Sequence, residues 1–248
     1  MKRRQFLGAS AALIVPSYGL SADGAAVAVS GDRFSIGSTI YQIADVLAPS
    51  AYTLGEAPEP YVDQARDALA ALLRDRSFDL VEFGAPSRWG VRPVRARDAQ
   101  SGKSLDEGLV EKGCARVAPQ TDDVAHLEHL LRLESEARAK GLGLWAHDHF
   151  KIAEADQAAT NLGRFAIVEG RVVRAAPTRS RVYLNFGEDF RKDFTVSARA
   201  GLAKRWAEDG FDLSQLSGVR VRARGFMRAI NGPAIEARHR MQLERLDL

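Results

Sequence analysis

Cysteine is nearly absent: Cys114 stands alone among 248 residues, so no intrachain disulfide can form in an oxidising compartment. It lies in the pattern SLDEGLVEKGCARV beside small and apolar neighbours, with nothing nearby to lower its pKa. That fits a small buried residue and not a nucleophile. A long apolar run is missing too. The one candidate, residues 8–20, is broken by Pro16 and short for a bilayer-spanning helix. Hydrophobic residues at 46% and charged residues at 27% exclude a disordered chain and a membrane-embedded one, and the length allows two compact domains.

What is present begins with a leader. Lys2-Arg3-Arg4 precede Gln5-Phe6-Leu7 and a small, apolar stretch, and R-R-x-F-L resembles a twin-arginine (Tat) export signal. The expectation is an exported protein, periplasmic or secreted, with its signal at residues 1–22 and cleavage after Ala22 or Ala28. An uncleaved N-terminal membrane anchor is the alternative; once the signal is removed, no stable transmembrane helix is expected. The net charge of +3 hides an asymmetry: residues 163–248 hold 17 Lys+Arg against 10 Asp+Glu, whereas residues 1–162 hold 18 against 22. If either half tracks a phosphate backbone, electrostatics favour the second.

Residues 31–50 read as two strands, GDRFSIG and STIYQIADVLAP, with Phe34 and Ile36 alternating and Ile40, Ile43 and Val46 leading to a turn at Pro49. YVDQARDALAALLRD carries Val62, Ala65, Leu69, Leu72 and Leu73 as one helical stripe. Strands are expected in FDLVEFG and WGVRPVRARDA. A capping box at Ser104 and Glu107 starts a helix, and an amphipathic helix over 123–140 ends at Gly141, before Trp145. The Gly31-Asp32 turn, the Ala48-Pro49 exit, RWG, LVEKGCARV and the ending SEARAKGLGLW together resemble the staphylococcal-nuclease (thermonuclease, TNase-like) domain family. The resemblance implies an elaborated oligonucleotide-binding (OB) barrel over residues 25–150.

It also implies calcium-assisted phosphodiester hydrolysis with two metal carboxylates, a glutamate and two arginines. Matched onto this chain, Asp32 fits the first metal carboxylate. Ser30, Gln42, Leu47 and Ser50 stand where the family pattern has Asp, Arg, Asp and Glu, and Arg92 lies one place beyond the second arginine position. A rearranged site would use Asp32 and Asp45 for metal and Asp32 and Arg92 for catalysis, with Glu56, Glu59, Arg95 and Arg97 nearby; otherwise these are solvated surface charges. Asp45 is expected on the same strand face as Leu47, about 6–7 Å away. Calcium is the only cofactor implied, and the depleted ligand set makes a protein that holds none the expectation. His126 with His129 and His147 with His149 could ligate a transition metal, but match no known ligand spacing; His126 and His129 fit the polar side of a helix.

Residues 151–162 read as a linker or a short helix, polar and alanine-rich. Beyond them residues 163–248 read as three strands, a helix and two strands, the order of a second five-stranded OB-like barrel, with a bulge or bend at Gly170 and a hairpin at Asn231-Gly232-Pro233. The fold class expected is mainly β with added helices (α+β). In such barrels the ligand lies across strands two and three and their flanking loops, which makes Arg179, Arg181, Tyr183, Asn185, Phe194 and Arg228 candidate nucleic-acid-binding residues. Arg220, Arg222 and Arg224 alternate as a solvated face would. The leading expectation is an exported thermonuclease-like pseudoenzyme that binds single-stranded nucleic acid or a protein partner in the cell envelope. The rivals are an active metal-dependent nuclease and a purely structural envelope protein.

Overall fold

The computed structural model describes residues 25–52 and 57–247; the export signal expected at 1–22 and Glu56 lie outside them. The first half runs through β1 (Ala26–Ala28), β2 (Arg33–Ile36), β3 (Thr39–Ile43), β4 (Val46–Leu47), α1 (Val62–Leu73), β5 (Phe78–Glu82), β6 (Arg92–Asp98), α2 (Leu105–Glu111), β7 (Arg116–Val117) and α3 (Val124–Ala139). Its main sheet has the order β1-β2-β3-β6-β5, and β3 and β6 run parallel. Gly31 has no room for a side chain, because a Cβ there would lie 2.6 Å from Ala48 and 2.7 Å from Ala65. The GD turn is therefore glycine for a packing reason.

The second half runs through β8 (Ala153–Glu154), β9 (Phe165–Arg171), β10 (Arg174–Pro177), β11 (Arg181–Asn185), β12 (Thr195–Arg199), α4 (Ala200–Glu208), β13 (Arg220–Ala229), β14 (Pro233–Ala237) and β15 (Leu243–Arg245). The sheet order is β10-β11-β12-β14-β13-β9-β8, with β12 and β14 parallel. Because β9 and β10 are successive parts of one run, the sheet curls back on itself. With β9–β10 counted as one strand, the order is one-two-three-five-four and back to one, with a helix between three and four. The first half has the same one-two-three-five-four order, with its parallel pair at the same place and α1 in the position of α4, but among the described residues no pairing of β5 with β1 closes it. Both are therefore mainly β with added helices, consistent with OB-like barrels.

Four expectations are corrected here. The strand expected through residues 38–49 breaks at Asp45, whose φ is +63°, and β4 leaves the main sheet to pair with β7. Residues 151–162 take the short-helix alternative over Ala155–Asn161 and are no loose linker: β8 pairs with β9, Ala158 is buried in the second core, and Asn161 is buried as well. Gly170 stays in register opposite Val221 and marks a close approach instead of a bulge, since a Cβ there would meet Ala155 at 2.7 Å and Phe186 at 2.9 Å. Arg224 is not solvated. It and Glu134 on α3 are each 1% exposed and lie 2.9 Å apart.

Arg224 joins the halves. Its Nη1 donates to Glu134 Oε1 (3.0 Å) and to the Val117 carbonyl (3.1 Å), and its Nη2 to Glu244 (2.8 Å). Glu134 Oε1 also accepts from Val117 N at 2.7 Å. Burial by itself would lower the guanidinium pKa, yet Glu134 and Glu244 hold it above its ordinary value. Beside this pair the small cluster of Ala137, Leu144, Trp145, Phe150, Phe165 and Ile167 is shared by both halves, and Met241 from the second half packs into the first core.

Removing one partner of a buried pair leaves the other charged and unsolvated, typically about 3–5 kcal/mol of lost stability. Glu134→Ala is expected to lose that much in urea unfolding followed by circular dichroism. Adding Arg224→Met to Glu134→Ala should recover most of the loss. Because the halves share a core, the wild type should unfold in one transition.

Candidate nucleic-acid interface

The first half holds the positions matched to a phosphodiesterase site, and the structure gathers several of them at the Gly31 turn: Gln42 Nε2 donates to the Asp32 carbonyl (3.2 Å), and Arg92 lies opposite Tyr41 on the neighbouring strand. Asp32 is buried at the Gly31 turn, where Ser30 Oγ donates to its Oδ1 (2.8 Å) and Ala48 N to its Oδ2 (3.2 Å). Arg92 instead pairs with Glu82, at 2.9 Å. Among the described residues no hydrogen bond or ion pair joins Asp32 to Arg92 or to Asp45.

Asp45 is fully buried, and both its oxygens are occupied. Oδ1 accepts from Gln120 N and Thr121 N (2.8 Å each); Oδ2 accepts from Thr121 Oγ1 (2.6 Å) and Arg95 Nη2 (3.3 Å). The αL turn at Asp45 puts this carboxylate under the loop that leads into α3, not on a strand face beside Leu47. Arg95 is likewise no surface charge: it also meets Asp123 at 2.7 Å and Asp106 at 3.9 Å. His126, expected on a polar helix face, is buried with Nε2 2.5 Å from Asp106 Oδ2.

Glu59, expected in a solvated loop, is buried. It accepts from Ser50 N (2.8 Å) and lies 3.3 Å from both Arg116 and His149. Burial pushes the Arg116 guanidinium below its ordinary pKa despite Glu59 and Glu134. Among the described residues no three His, Cys, Asp or Glu side chains gather into a group that could hold a metal ion. Calcium needs six to eight oxygens, chiefly carboxylate. With Asp45 saturated and Leu47 in the place of the second carboxylate, the side chains here do not fit the ion, and no hydrolytic step through it can be built.

The second half has an open face. On β11, Val182 and Leu184 point into the core while Arg181, Tyr183 and Asn185 point out, as period-two alternation requires. Strand register then builds two rows across the sheet. One is Arg174, Asn185, Thr195, Ala234 and Arg228; the other includes Ala176, Tyr183, Ser197 and Glu236. All of these except Arg228 floor a cleft of about 490 Å³, which Phe190 and Ile230 also line. Both lip residues are more than half exposed, Phe190 at 55% and Ile230 at 56%.

Arg181 is held in place by Ser197 Oγ (3.2 Å) and Glu236 (3.0 Å). Arg238, Arg181 and their charges keep the Glu236 carboxyl below its ordinary pKa against the opposing effect of burial. Of the sequence-derived candidates, Arg181, Tyr183 and Asn185 line this cleft. Arg228 ends one row and borders a second groove, and Arg179 is exposed in the loop between β10 and β11. Phe194 is a correction: it is buried against Phe186, with ring centroids 4.8 Å apart, in the second core. Arg174, Phe190, Ser197 and Ile230 were not identified from sequence. Only register puts Arg174 beside Asn185, and an exposed phenylalanine in a loop carries no periodic signal.

Two outcomes follow from the buried carboxylates. Asp45→Ala would leave Arg95 unpaired at that side and two backbone amides without an acceptor, so a loss of about 3 kcal/mol or more is expected in chemical denaturation. Burial would raise the Asp106 carboxyl, but His126 and Arg95 hold it below the usual range, and Asp123 is lowered chiefly by Arg95. Carboxyls depressed in the folded state stabilise it above their unfolded pKa of about 3.9 and lose that contribution as pH falls through the lower folded values. Urea midpoints should therefore drop steeply below about pH 4, with a shallower drop in Asp106→Asn.

No curated protein matches the chain. The family model described as staphylococcal nuclease homologue matches residues 41–147, from within β3 to just beyond the buried Trp145. That span takes in α1, the β5–β6 pair, both following helices and the Asp45 turn. Residues 41–147 form a domain of the staphylococcal nuclease homologue family.

Proposed function

We propose that this chain is a thermonuclease-like protein that binds single-stranded nucleic acid without cleaving it, through the open face of its second barrel. The carrying observation is that face itself: Asn185 in a row bounded by Arg174 and Arg228, Tyr183 in the row beside it, beneath the exposed lips Phe190 and Ile230. Bases stack on aromatic faces whatever their sequence, and arginines neutralise the backbone between them. The first half supports the same reading by what its charges do instead of catalysis. Asp45 and Arg95 are engaged with each other, Arg92 pairs with Glu82, and Glu59 pairs with Arg116. Side chains committed to the fold are not available to hold an ion or a developing phosphate charge. The leader pattern at residues 1–22, with its paired Arg3-Arg4, supports export to the periplasm or beyond as the setting.

The test is fluorescence anisotropy with labelled oligodeoxythymidylate. Affinity should fall steeply between low and physiological salt, as counterion release demands. Tyr183→Ala should lose about 1–3 kcal/mol, the usual worth of one stacked base. Binding that ignores salt, or none at all, would overturn the reading. On the same oligonucleotide the wild type should leave the strand intact with calcium and with chelator alike. Calcium-dependent cleavage that disappears in Asp32→Ala would show an active site after all.

A further inference from the structure

The cleft is not the end of the groove. Glu236 lines it on one side and on the other lines a second groove of about 220 Å³ at the junction of the halves. This second groove is floored by Gly225, Phe226 and Gln242 of the second half and walled by Ala118, Pro119 and Gln120, which follow β7 in the first. Phe226 is 57% exposed, and its ring is held edge-on by Phe165, centroids 5.6 Å apart at 83°. An exposed aromatic braced at its edge presents a fixed face, which is what a stacking platform needs.

Charge runs along the whole path. Arg174 and Arg181 line the cleft, Arg228 and Arg238 line the junction groove, and among the described residues the only acidic one lining either is Glu236. That carboxylate is itself claimed by Arg181 at 3.0 Å and Arg238 at 3.1 Å, so it organises the arginines and leaves the path cationic. Across the five strands from Arg174 to Arg228 the path covers about 19 Å at ordinary strand spacing before it reaches the junction. The buried Arg224–Glu134 pair fixes the two walls of the junction groove relative to each other.

Resting on the nucleic-acid reading above, we propose that cleft and junction groove form one continuous track. A single strand crosses the second barrel and then lies against residues 118–120 of the nuclease-homologue domain, with one base on Phe226. That domain serves as a wall for the strand and not as its cutter. The acidic balance of the first half does not oppose this, because the part of it that faces the track, Ala118-Pro119-Gln120, is neutral.

The experiment compares two labelled oligodeoxythymidylates, of about 4 and about 16 nucleotides, the two ends of the usual site size for one such barrel. They are titrated with wild type, with Phe226→Ala/Arg238→Ala at the junction and with Tyr183→Ala/Arg174→Ala in the cleft, each variant first shown to keep the wild-type urea midpoint. The junction variant should weaken the longer strand about tenfold and leave the shorter within about twofold; the cleft variant should weaken both. If only the cleft variant weakens the longer strand, the track ends at the cleft, and the inference falls while the binding reading stands. If the wild type binds neither strand at low salt, both fall. Photocrosslinking from a thiothymidine at either end of the longer strand to unaltered protein gives a reading that needs no variant: adducts within residues 118–120 or at Phe226 are expected, and adducts confined to the cleft would overturn the track.

Discussion

The arrangement of this protein depends on one ion pair removed from water. Arg224 on β13 and Glu134 on α3 are each almost completely buried; Arg224 also holds Val117 of the first half and Glu244 of the second, and Glu134 also accepts from Val117 N. A buried pair of this kind adds little net stability over an apolar substitute, because two desolvation penalties offset most of the attraction. Its directional hydrogen bonds do something an apolar contact cannot. They fix the angle and register at which two barrels meet, since any slip strands a charge. The shared cluster around Trp145 and Phe165 supplies the apolar burial, and the pair supplies the geometry.

That fixed junction gives a physical account of the nuclease-homologue domain. Its fold is maintained by carboxylates turned inward: Asp45 ties the β3–β4 turn to the loop before α3, Asp106 lies beside Arg95, which the exposed Asp123 meets from outside, and Glu59 anchors the turn at Ser50. A buried carboxylate with protein donors on both oxygens is stable only while those donors stay, so it cannot also serve as an open metal ligand. The second barrel has the opposite character, with short polar side chains, exposed aromatics and arginines on one uncovered face.

Much of this was legible in the chain. The Ser104–Glu107 capping box, the stripe of α1 and the ending of α3 follow from local rules of period and capping, and each is found within a residue or two of its expected place. The resemblance carried by Gly31-Asp32 and Ala48-Pro49 rested on a packing need, for Gly31 abuts Ala48 and Ala65. What misled was polarity taken as exposure. Arg224, Asp45, Glu59, Arg95 and His126 are residue types that usually face water. Each is buried because its partner comes from a distant part of the chain, and no local pattern carries that information.

The sequence by itself determined the main strand and helix order of both halves, the presence of Ser30, Gln42, Leu47 and Ser50 at the positions the resemblance matches to catalytic ones, and the outward set Arg181, Tyr183 and Asn185. These are properties of neighbours along the chain, governed by side-chain period and residue chemistry. Only the tertiary structure decided that residues 151–162 pack as part of the second sheet, that Phe194 is core, that Arg174 and Arg228 end one row, and that Arg224 locks the halves together. Those outcomes depend on strand register and on charges meeting across long sequence separations, where burial forces a partner to be found and the fold selects which one.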